Sequence, residues 1–345
     1  MKVLLTGAFG NIGSSTLQEL LRQGHEVRCF DLRSRANEKA VRALNGRVEV
    51  MWGDLRQKDD VARAVDGQDA VIHLAFILPK LSATGFESEE HPDWAREINV
   101  GGTRNLLEAA CSQSTVPRFV FASSCDIYGR TNDQPPPRTA EDPVAPIEHY
   151  AHHKVECEQL VRASCSPWCI LRFAVSPPIA LRLDPAMFDV PLDNRMEYIH
   201  PRDLALALAN CINSDEAWGR ILLIGGGPRC QLTYGQITQQ VLEGMGVGQL
   251  PTEAFSTVPY PTDWLDTADS ERLLRYQWLT LDDYVHDMQQ LLGARRHLIR
   301  AFRPVVRYLL LQQSPYYRPA HSQWLPTLTR ATKAWKKPPA SARVR

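Results

Sequence analysis

A glycine-rich turn directly after the first apolar run limits the folds open to this chain more than any other feature. The run KVLLT leads into Gly7-Ala8-Phe9-Gly10-Asn11-Ile12-Gly13, where a helical pattern begins. A side chain at Gly7 would obstruct the tight turn, one at Gly10 would block a phosphate approaching the backbone, and one at Gly13 would separate helix from sheet. Free N–H groups at the helix N-terminus attract phosphate. The turn predicts a pyrophosphate site, with a merely flexible turn as the alternative.

Short apolar runs and helical patterns alternate through the first half of the chain. Six runs have strand character: KVLLT, HEVRCF, RVEVM, DAVIHLA, RFVFASS and WCILRF. Helical patterns separate them at 11–24, 36–44, 57–65, 92–113 and 148–165. Strands that are apolar on both faces are typical of parallel sheets covered by helices. The sequence therefore predicts an α/β protein with a doubly wound parallel sheet of the Rossmann type.

The alternation loosens after residue 176, where a series of prolines from Pro177 to Pro191 interrupts it. A later strand, RILLIG, lies between two further helical patterns. We predict three parts, with some chain crossing between the first two: a dinucleotide-binding domain (1–176), a smaller substrate-binding domain (177–293) and a basic C-terminal extension (294–345).

Acidic residues at the ends of two strands indicate which dinucleotide binds. Asp31 ends the second strand, where a carboxylate accepts hydrogen bonds from the adenosine ribose hydroxyls and repels a 2′-phosphate. This favours NAD. Arg33 and Arg35 follow closely and would pair with a 2′-phosphate, so NADP stays open. Asp54 ends the third strand and is either an adenine contact or a solvated turn residue.

A tyrosine and a lysine four residues apart on a predicted helix are the candidate acid/base pair. Tyr150 and Lys154 share a helix face, so the ammonium can lower the phenol's pKa toward neutrality. Ser124 ends the fifth strand, at the carboxyl edge where ligands of such sheets bind. Its hydroxyl can hydrogen-bond the reacting oxygen of a substrate. YxxxK alone occurs by chance in many helices; its combination with the glycine turn, Asp31 and Ser124 makes chance a poor explanation.

Together these motifs resemble the extended short-chain dehydrogenase/reductase family of the NAD-dependent epimerase/dehydratase type, over about residues 1–290. TGAFGNIG resembles the family's TGxxGxIG turn, HLA the segment beside the nicotinamide ribose, and INVGGTRNLLEAA its N-x-x-G-T helix. The resemblance implies Ser124, Tyr150 and Lys154 as catalytic residues. It implies cofactor contacts at Gly7, Gly10, Asn11, Ile12, Gly13, Asp31, Asp54, Leu55, Leu74, Ala75, Asn99, Tyr150 and Lys154.

Departures from the family pattern narrow the chemistry. Sugar-nucleotide dehydratases of the family have an Asp-Glu pair where this chain has Cys125 and Asp126, so a dehydratase is disfavoured. Val175 stands where sugar-nucleotide enzymes often carry Asn, which puts a sugar nucleotide in doubt. The apolar loop from Phe76 to Trp94 either lines the pocket of a less polar substrate or only covers the domain junction. The predicted substrate contacts are Phe76, Ser124, Asp126 and Val175.

The resemblance implies reversible hydride transfer at a secondary carbinol or ketone of a small molecule. Dehydrogenase, reductase and epimerase, including sugar-nucleotide epimerase, share the three catalytic residues and stay open. A dinucleotide-sensing protein without turnover and a scaffold subunit are the non-enzymatic alternatives. Sensing proteins usually lack the tyrosine–lysine pair, whereas this chain has it as Tyr150 and Lys154. This favours an enzyme over a sensing protein.

The eight cysteines form no CxxC pair and no zinc-type spacing, so we expect buried free thiols and no metal. MKVLLTGAFG lacks the apolar core of a secretory signal, which predicts a cytoplasmic protein. No apolar run approaches the length that spans a bilayer.

The last 52 residues differ in charge from the rest of the chain. Residues 294–345 contain 12 Lys or Arg and no Asp or Glu, whereas the first 293 residues contain 27 basic and 39 acidic side chains. From Arg296 to Arg307 arginines recur at helical spacing beside a broad apolar arc from Leu298 to Leu310, and Pro304 predicts two short helices meeting at a kink.

Such a pattern has three interpretations. The apolar arc packs on the acidic body or on a second subunit, giving a homodimer, or it lies on an anionic membrane through residues 295–337. A membrane contact would place the protein peripherally on the inner face and would suit a lipophilic substrate. Nucleic acid is the least favoured partner because the acidic body repels phosphates.

Overall fold

The computed structural model describes residues 1–80, 84–181 and 184–317, and its main element is a parallel sheet. Nine strands lie in these ranges: β1 (Lys2–Thr6), β2 (Glu26–Asp31), β3 (Glu49–Trp52), β4 (Ala70–His73), β5 (Arg118–Ser124), β6 (Trp168–Phe173), β7 (Arg195–Glu197), β8 (Arg220–Ile224) and β9 (Gln231–Thr233). Seven of them form one sheet in the order β3-β2-β1-β4-β5-β6-β8, and every neighbouring pair is parallel.

Helices cover both faces of this sheet and build the second domain. In chain order they are α1 (Asn11–Arg22), α2 (Arg35–Ala43), α3 (Lys58–Val65), α4 (Pro92–Arg96), α5 (Gly102–Cys111), α6 (His149–Arg162), α7 (Pro201–Cys211), α8 (Tyr234–Gly244), α9 (Ala268–Leu274), α10 (Leu281–Leu292), α11 (Arg295–Ala301) and α12 (Arg303–Leu311). Two separate apolar clusters lie on the two faces of the sheet. The predicted doubly wound α/β fold is therefore confirmed.

The chain crosses between the two domains after residue 176. Strand β8 pairs with β6 and so becomes the sheet's seventh strand, and helix α7 packs against α1. The second domain is built around the antiparallel pair β7 and β9 and an apolar cluster that includes Phe188, Tyr234 and Phe255. Because β7 is the next strand after β6, the second domain begins at the carboxyl end of the sheet.

The helix predicted at 92–113 is interrupted. A π-helical turn, Glu97–Gly101, separates α4 from α5. Such turns are rare and concentrate at functional sites, because the widened backbone reorients side chains. Here the turn contains Asn99, a residue predicted to contact the cofactor.

The expectation that all cysteines are free thiols is wrong for two of them. Cys111 ends α5 and Cys165 follows α6, and their sulfurs form a disulfide with Cα atoms 5.9 Å apart. Adjacent packing of the two helices brings their ends together across 54 residues of sequence, which cysteine spacing alone does not reveal. The other six cysteines are buried and free, as expected.

The C-terminal extension begins with two short helices, as predicted, but they meet at Phe302 rather than at Pro304. One side packs on the second domain: Leu310 is buried in its apolar cluster, and Ile299 and Val306 lie against it. Residues 318–337 of the predicted membrane-binding segment lie outside the described ranges. Within those ranges no helix is long and apolar enough to cross a bilayer.

Candidate active site

The glycine turn joins β1 to α1 at the carboxyl edge of the sheet, where the sequence places it. Gly7 has a φ of +66°, and a Cβ there would lie 2.8 Å from the backbone nitrogen of Ala75. A Cβ at Gly13 would lie 2.0 Å from the carbonyl oxygen of Gly7. At Gly10 the only close atom is that same oxygen, at 3.3 Å. Two glycines thus permit close backbone packing, while Gly10 leaves the outer side of the turn accessible.

Helix α1 starts in a way that suits an anion. Its N-cap is Gly10, and no side chain caps the first turn. Asn11 is the first helical residue, and its side-chain amide lies 3.5 Å from the carbonyl oxygen of Ser176, the last residue of the predicted dinucleotide-binding domain. Ile12 packs inward on the core. The uncapped N–H groups of this turn fit a pyrophosphate.

The Asp31 carboxylate closes the other side of the turn. It accepts hydrogen bonds from the backbone N–H of Phe9 at 3.0 Å and of Leu32 at 2.8 Å. Burial raises the pKa of this carboxyl. Each oxygen keeps a lone pair for a ribose hydroxyl. Arg33, which would otherwise pair with a 2′-phosphate, forms an ion pair with Glu38 at 2.8 Å.

The two residues predicted on the adenine side have different environments. Asp54 forms an ion pair with Arg56 at 2.6 Å and lies at the surface of the strand end. Leu55 is buried in the core below Gly102, where a Cβ would lie 2.6 Å from the leucine's own Cβ. Of these two, Asp54 alone has a side chain in reach of a surface ligand.

The segment after β4 runs alongside the glycine turn. The backbone N–H groups of Leu74 and Ala75 both lie 3.2 Å from the Thr6 hydroxyl oxygen and donate to it. Asn99 holds the next part of this segment: its side chain accepts from the N–H of Ile77 at 2.7 Å and donates to the carbonyl of Ile77 at 3.1 Å. Because its polar atoms are occupied in this way, Asn99 positions the loop in the present arrangement.

Phe76 connects this segment to the predicted catalytic pair. Its ring lies edge-on to that of Tyr150, with centroids 5.6 Å apart, and the Lys154 ammonium is 3.5 Å from its centroid. A cation over an aromatic face is stabilised electrostatically. Since Phe76 directly follows Ala75, whose backbone lies close to Gly7, the glycine turn and the tyrosine–lysine pair are neighbours at the carboxyl edge of the sheet. The region between them is called the candidate cleft, or simply the cleft.

The electrostatics of the pair correct one expectation. Lys154 donates to the carbonyl oxygen of Ala122 at 2.6 Å, and burial lowers the pKa of its ammonium to about 7. Burial, followed by the charge of Asp126, raises the pKa of the Tyr150 phenol. The predicted lowering by Lys154 is therefore wrong for this arrangement, because desolvation dominates when both groups are enclosed. A hydrogen bond with the Ser124 hydroxyl acts against the burial and lowers the pKa of the Tyr150 phenol.

Ser124 and its two successors line the floor of the cleft. The Ser124 hydroxyl accepts from the N–H of Asp126 at 3.3 Å. Burial, then the charge of Glu148, raises the pKa of the Asp126 carboxyl to about 7. Burial also raises the pKa of the Cys125 thiol. Around neutral pH Asp126 is the titrating group of this floor, and Cys125 stays protonated.

Four residues that the sequence analysis missed border the same cleft. Lys80 of the loop after β4 forms an ion pair at 2.6 Å with Asp189 of the second domain. Glu148 precedes α6 and influences the pKa of Lys80 as well as that of Asp126. Burial, then the charges of Asp126 and Glu148, raises the pKa of Tyr260. Of these four, only Glu148 could have been found from the sequence, because it lies two residues before Tyr150 of the motif.

Val175, predicted to contact substrate, bridges the domains. Its N–H donates to the carbonyl of Glu197 at 3.1 Å, and its carbonyl accepts from Ile199 at 3.0 Å. Its side chain packs against the second domain's apolar cluster. Over the described ranges no group of three or more His, Cys, Asp or Glu side chains is arranged to hold a metal ion.

A parallel sheet with an uncapped glycine turn at its edge, an acid at the end of β2 and a buried Tyr-Lys pair with Ser124 defines a short-chain dehydrogenase/reductase. The chain belongs to the NAD dependent epimerase/dehydratase family, whose model matches residues 3–176. This membership agrees with the resemblance stated from the motifs and supports NAD, the predicted cofactor.

Curated relatives of different activities match parts of this chain. A 3 beta-hydroxysteroid dehydrogenase/Delta 5-->4-isomerase of Mycobacterium tuberculosis is 36% identical over 123 residues, which are 36% of this chain and 31% of that protein. UDP-glucose 4-epimerase 3 of Oryza sativa subsp. japonica is 37% identical over 143 residues, 39% of this chain and 37% of that protein. The matches span about a third of these relatives' lengths.

Solved structures extend the likeness to most of the chain. A UDP-glucuronic acid 4-epimerase from Bacillus cereus, in complex with UDP-glucuronic acid and NAD, has a TM-score of 0.70 and 22% identity, covering 84% of this chain and 100% of its own. A short-chain dehydrogenase/reductase superfamily protein from Agrobacterium tumefaciens with bound NAD has a TM-score of 0.67 and 22% identity, covering 88% and 100%. These likenesses show a shared fold.

Proposed function

We propose that this protein is an NAD-dependent oxidoreductase that reversibly transfers a hydride between the cofactor and a secondary carbinol carbon of a small molecule. The observation that carries the proposal is the continuous contact from Gly7 through Ala75 and Phe76 to Tyr150 and Lys154. This contact supports a dinucleotide site and an acid/base pair that act on the same ligand. Asp31 beside the turn supports NAD over NADP.

The chain's own groups then have distinct roles. Tyr150 takes the hydroxyl proton of the alcohol, and returns it to the ketone in the reverse direction. Ser124 orients the reacting oxygen and lowers the phenol's pKa. The Lys154 ammonium, 5.4 Å from the centroid of the Tyr150 ring, stabilises the phenolate in its charged form and reaches the ribose. When bound, oxidised NAD supplies the hydride acceptor and a positive charge, which counteracts the burial that raises the phenol's pKa.

The substrate we favour is less polar than a sugar nucleotide. Phe76 presents an apolar ring beside the catalytic pair, and Leu78 and Phe86, which follow it in the chain, are exposed. Asp126 is the polar contact we assign to the substrate. A dehydratase stays disfavoured because Cys125, a buried thiol with a raised pKa, is a poor acid for expelling hydroxide.

Epimerisation is the second candidate. It uses the same three side chains, since a ketone that rotates in the site and takes the hydride back has its configuration inverted. The partial match to UDP-glucose 4-epimerase 3 supports it. Net reduction of NAD separates the two, because an epimerase returns the cofactor to its oxidised form in each cycle.

The test is to incubate the purified protein with NAD and a panel of secondary alcohols, from sterols to sugar nucleotides, and to follow the absorbance of reduced nicotinamide. We expect sustained reduction with an apolar alcohol. Transient reduction together with an inverted product would favour the epimerase. NAD binding without reduction by any class, and without inversion, would contradict the proposal and favour a sensing or scaffold protein. A homodimer and a cytoplasmic location stay predictions.

A further inference from the structure

The two helices of the C-terminal extension leave an apolar stripe uncovered. Leu298, Phe302, Val305 and Leu309 recur at steps of four, three and four residues, and each is more than half exposed, at 61%, 61%, 56% and 58%. Leu298 lies on α11, Phe302 at the junction of the two helices, and Val305 and Leu309 one turn apart on the same face of α12. Large apolar side chains scattered singly need no explanation, whereas four exposed ones on two adjoining short helices indicate a binding surface.

This stripe is not the face that holds the extension to the body. Ile299, Val306 and Leu310 pack on the second domain, and Arg307 donates to the carbonyl of Gln249. The Ser314 hydroxyl donates to the carbonyl of Ala254 at 2.6 Å. The extension is therefore fixed on the body by one side, and the stripe on another side is exposed among the residues that the structure describes.

Charge indicates which partner fits. Arg295, Arg296, Arg300 and Arg303 are exposed on the same two helices. The extension from 294 to 345 contains no acidic residue, although the rest of the chain is acidic overall. Helices with an apolar face, an arginine-rich face and aromatic residues lie in the interface of anionic bilayers, where long arginine side chains reach the headgroups.

The end of the extension meets the substrate cleft. The Tyr316 hydroxyl donates to Asp189 at 3.1 Å, and the other oxygen of Asp189 accepts from Lys80 at 2.6 Å. Lys80 lies two residues from the exposed Leu78 in the loop that carries Phe76. A surface that binds the extension would thus lie near the loop that carries Phe76 and Lys80.

We propose that α11 and α12 dock on an anionic membrane surface through the stripe Leu298, Phe302, Val305 and Leu309, so that the cleft takes its substrate from the lipid phase. The docking itself is independent of the reaction. The lipid-borne substrate rests on the proposed function and on the Tyr316–Asp189–Lys80 contact.

Co-sedimentation with vesicles tests the docking without any activity measurement. Full-length protein is mixed with phosphatidylcholine vesicles and with vesicles containing phosphatidylglycerol. The stripe variant makes three of the four stripe residues polar and is expected to keep both helices. It combines Leu298→Gln, Phe302→Gln and Leu309→Gln. Trp278→Gln is the matched control, because Trp278 is 68% exposed and lies outside the extension. Deleting the extension is avoided, since Leu310 belongs to the apolar cluster of the second domain.

We expect binding to the anionic vesicles only, weakened about tenfold or more in the stripe variant and unchanged in the control. Arg295→Gln, Arg296→Gln and Arg300→Gln together should weaken binding and reduce its salt dependence. Equal binding of the wild type and the stripe variant, or binding by neither, would overturn the docking. So would a wild-type dimer that the stripe variant abolishes while vesicle binding is unchanged, since the stripe would then be a subunit interface.

The lipid-borne substrate has its own test. With an active alcohol identified, we expect anionic vesicles that carry it to lower its apparent KM for the wild type and not for the stripe variant. Vesicle binding with no such change would retain the docking and overturn the delivery of substrate. If the protein binds vesicles but shows no activity with either free or vesicle-borne alcohols, the proposed function alone would be contradicted.

Discussion

The two sides of the cleft are held together in different ways. The cofactor side depends on backbone atoms in close contact: Gly7 and Gly13 leave space in which no Cβ fits. The substrate side depends on charged and titratable side chains brought from separate segments, such as Lys80, Asp126 and Asp189. We therefore expect an added side-chain atom to disrupt the fold and NAD binding on the cofactor side. On the substrate side, we expect stability and activity to depend on charge and pH.

The largest effect is expected where the two sides meet. Tyr150→Phe removes one oxygen and keeps the ring contact with Phe76, so turnover should fall by about 10²–10⁴ while NAD affinity stays within a few-fold. Steady-state kinetics and NAD titration of the same preparation measure both. More than about a tenth of wild-type activity in the variant would exclude the acid/base role.

The second largest effect is expected from a substitution in the closely packed glycine turn of the cofactor side. Gly13→Ala forces a Cβ to within 2.0 Å of the Gly7 carbonyl oxygen, so the free energy of unfolding should fall by about 3 kcal/mol, with loss of NAD binding. Gly101→Ala is the matched control, since nothing lies within 4 Å of its added Cβ and its backbone is helical. That variant should gain about 0.5–1 kcal/mol. Chemical denaturation measures both variants. Equal free energies of unfolding for Gly13→Ala and Gly101→Ala would show that Gly13 is not needed for close packing of the turn.

A smaller effect is expected at the acid beside the turn. Asp31→Ala removes the acceptor for the ribose hydroxyls and the repulsion of a 2′-phosphate, so the preference for NAD over NADP should narrow by about tenfold. The ratio of the two dissociation constants measures this. Equal affinities in the wild type would show that the carboxylate does not select the cofactor.

The smallest effect concerns charge on the substrate side. The pKa of Asp126 is raised to about 7, so between about pH 4 and 7 the folded state holds a proton that the unfolded state has lost. Stability attributable to this group therefore falls as the pH rises through that window. Asp126→Asn, which cannot ionise, should melt at a higher temperature than the wild type at pH 8, and the difference should shrink toward pH 4. A difference independent of pH would show that Asp126 ionises normally.

The cofactor side was predictable from sequence because its determinants are local. The turn from Gly7 to Gly13 follows its strand directly, and Tyr150 and Lys154 are one helical turn apart. The alternation of apolar runs and helical patterns before residue 176 likewise indicates a parallel sheet covered by helices. Short-range spacing carries this information without knowledge of tertiary contacts.

The substrate side was not predictable because its residues converge from distant segments. Asp189 and Tyr260 have no motif of their own, and only the folded second domain brings them to Asp126. The same reason explains the disulfide between Cys111 and Cys165. The pKa of Tyr150 was predicted in the wrong direction because the sequence shows the neighbouring lysine but not the burial of both groups.

Hydride transfer itself is the central claim, and isotope transfer tests it directly. An alcohol that reduces NAD in the panel is prepared with deuterium on its carbinol carbon and incubated with the enzyme, and the reduced dinucleotide is analysed by mass spectrometry. We expect one deuterium in the dinucleotide formed by the wild type and almost no product with Tyr150→Phe. Reduced dinucleotide without deuterium, or equal labelling by both proteins, would contradict this expectation.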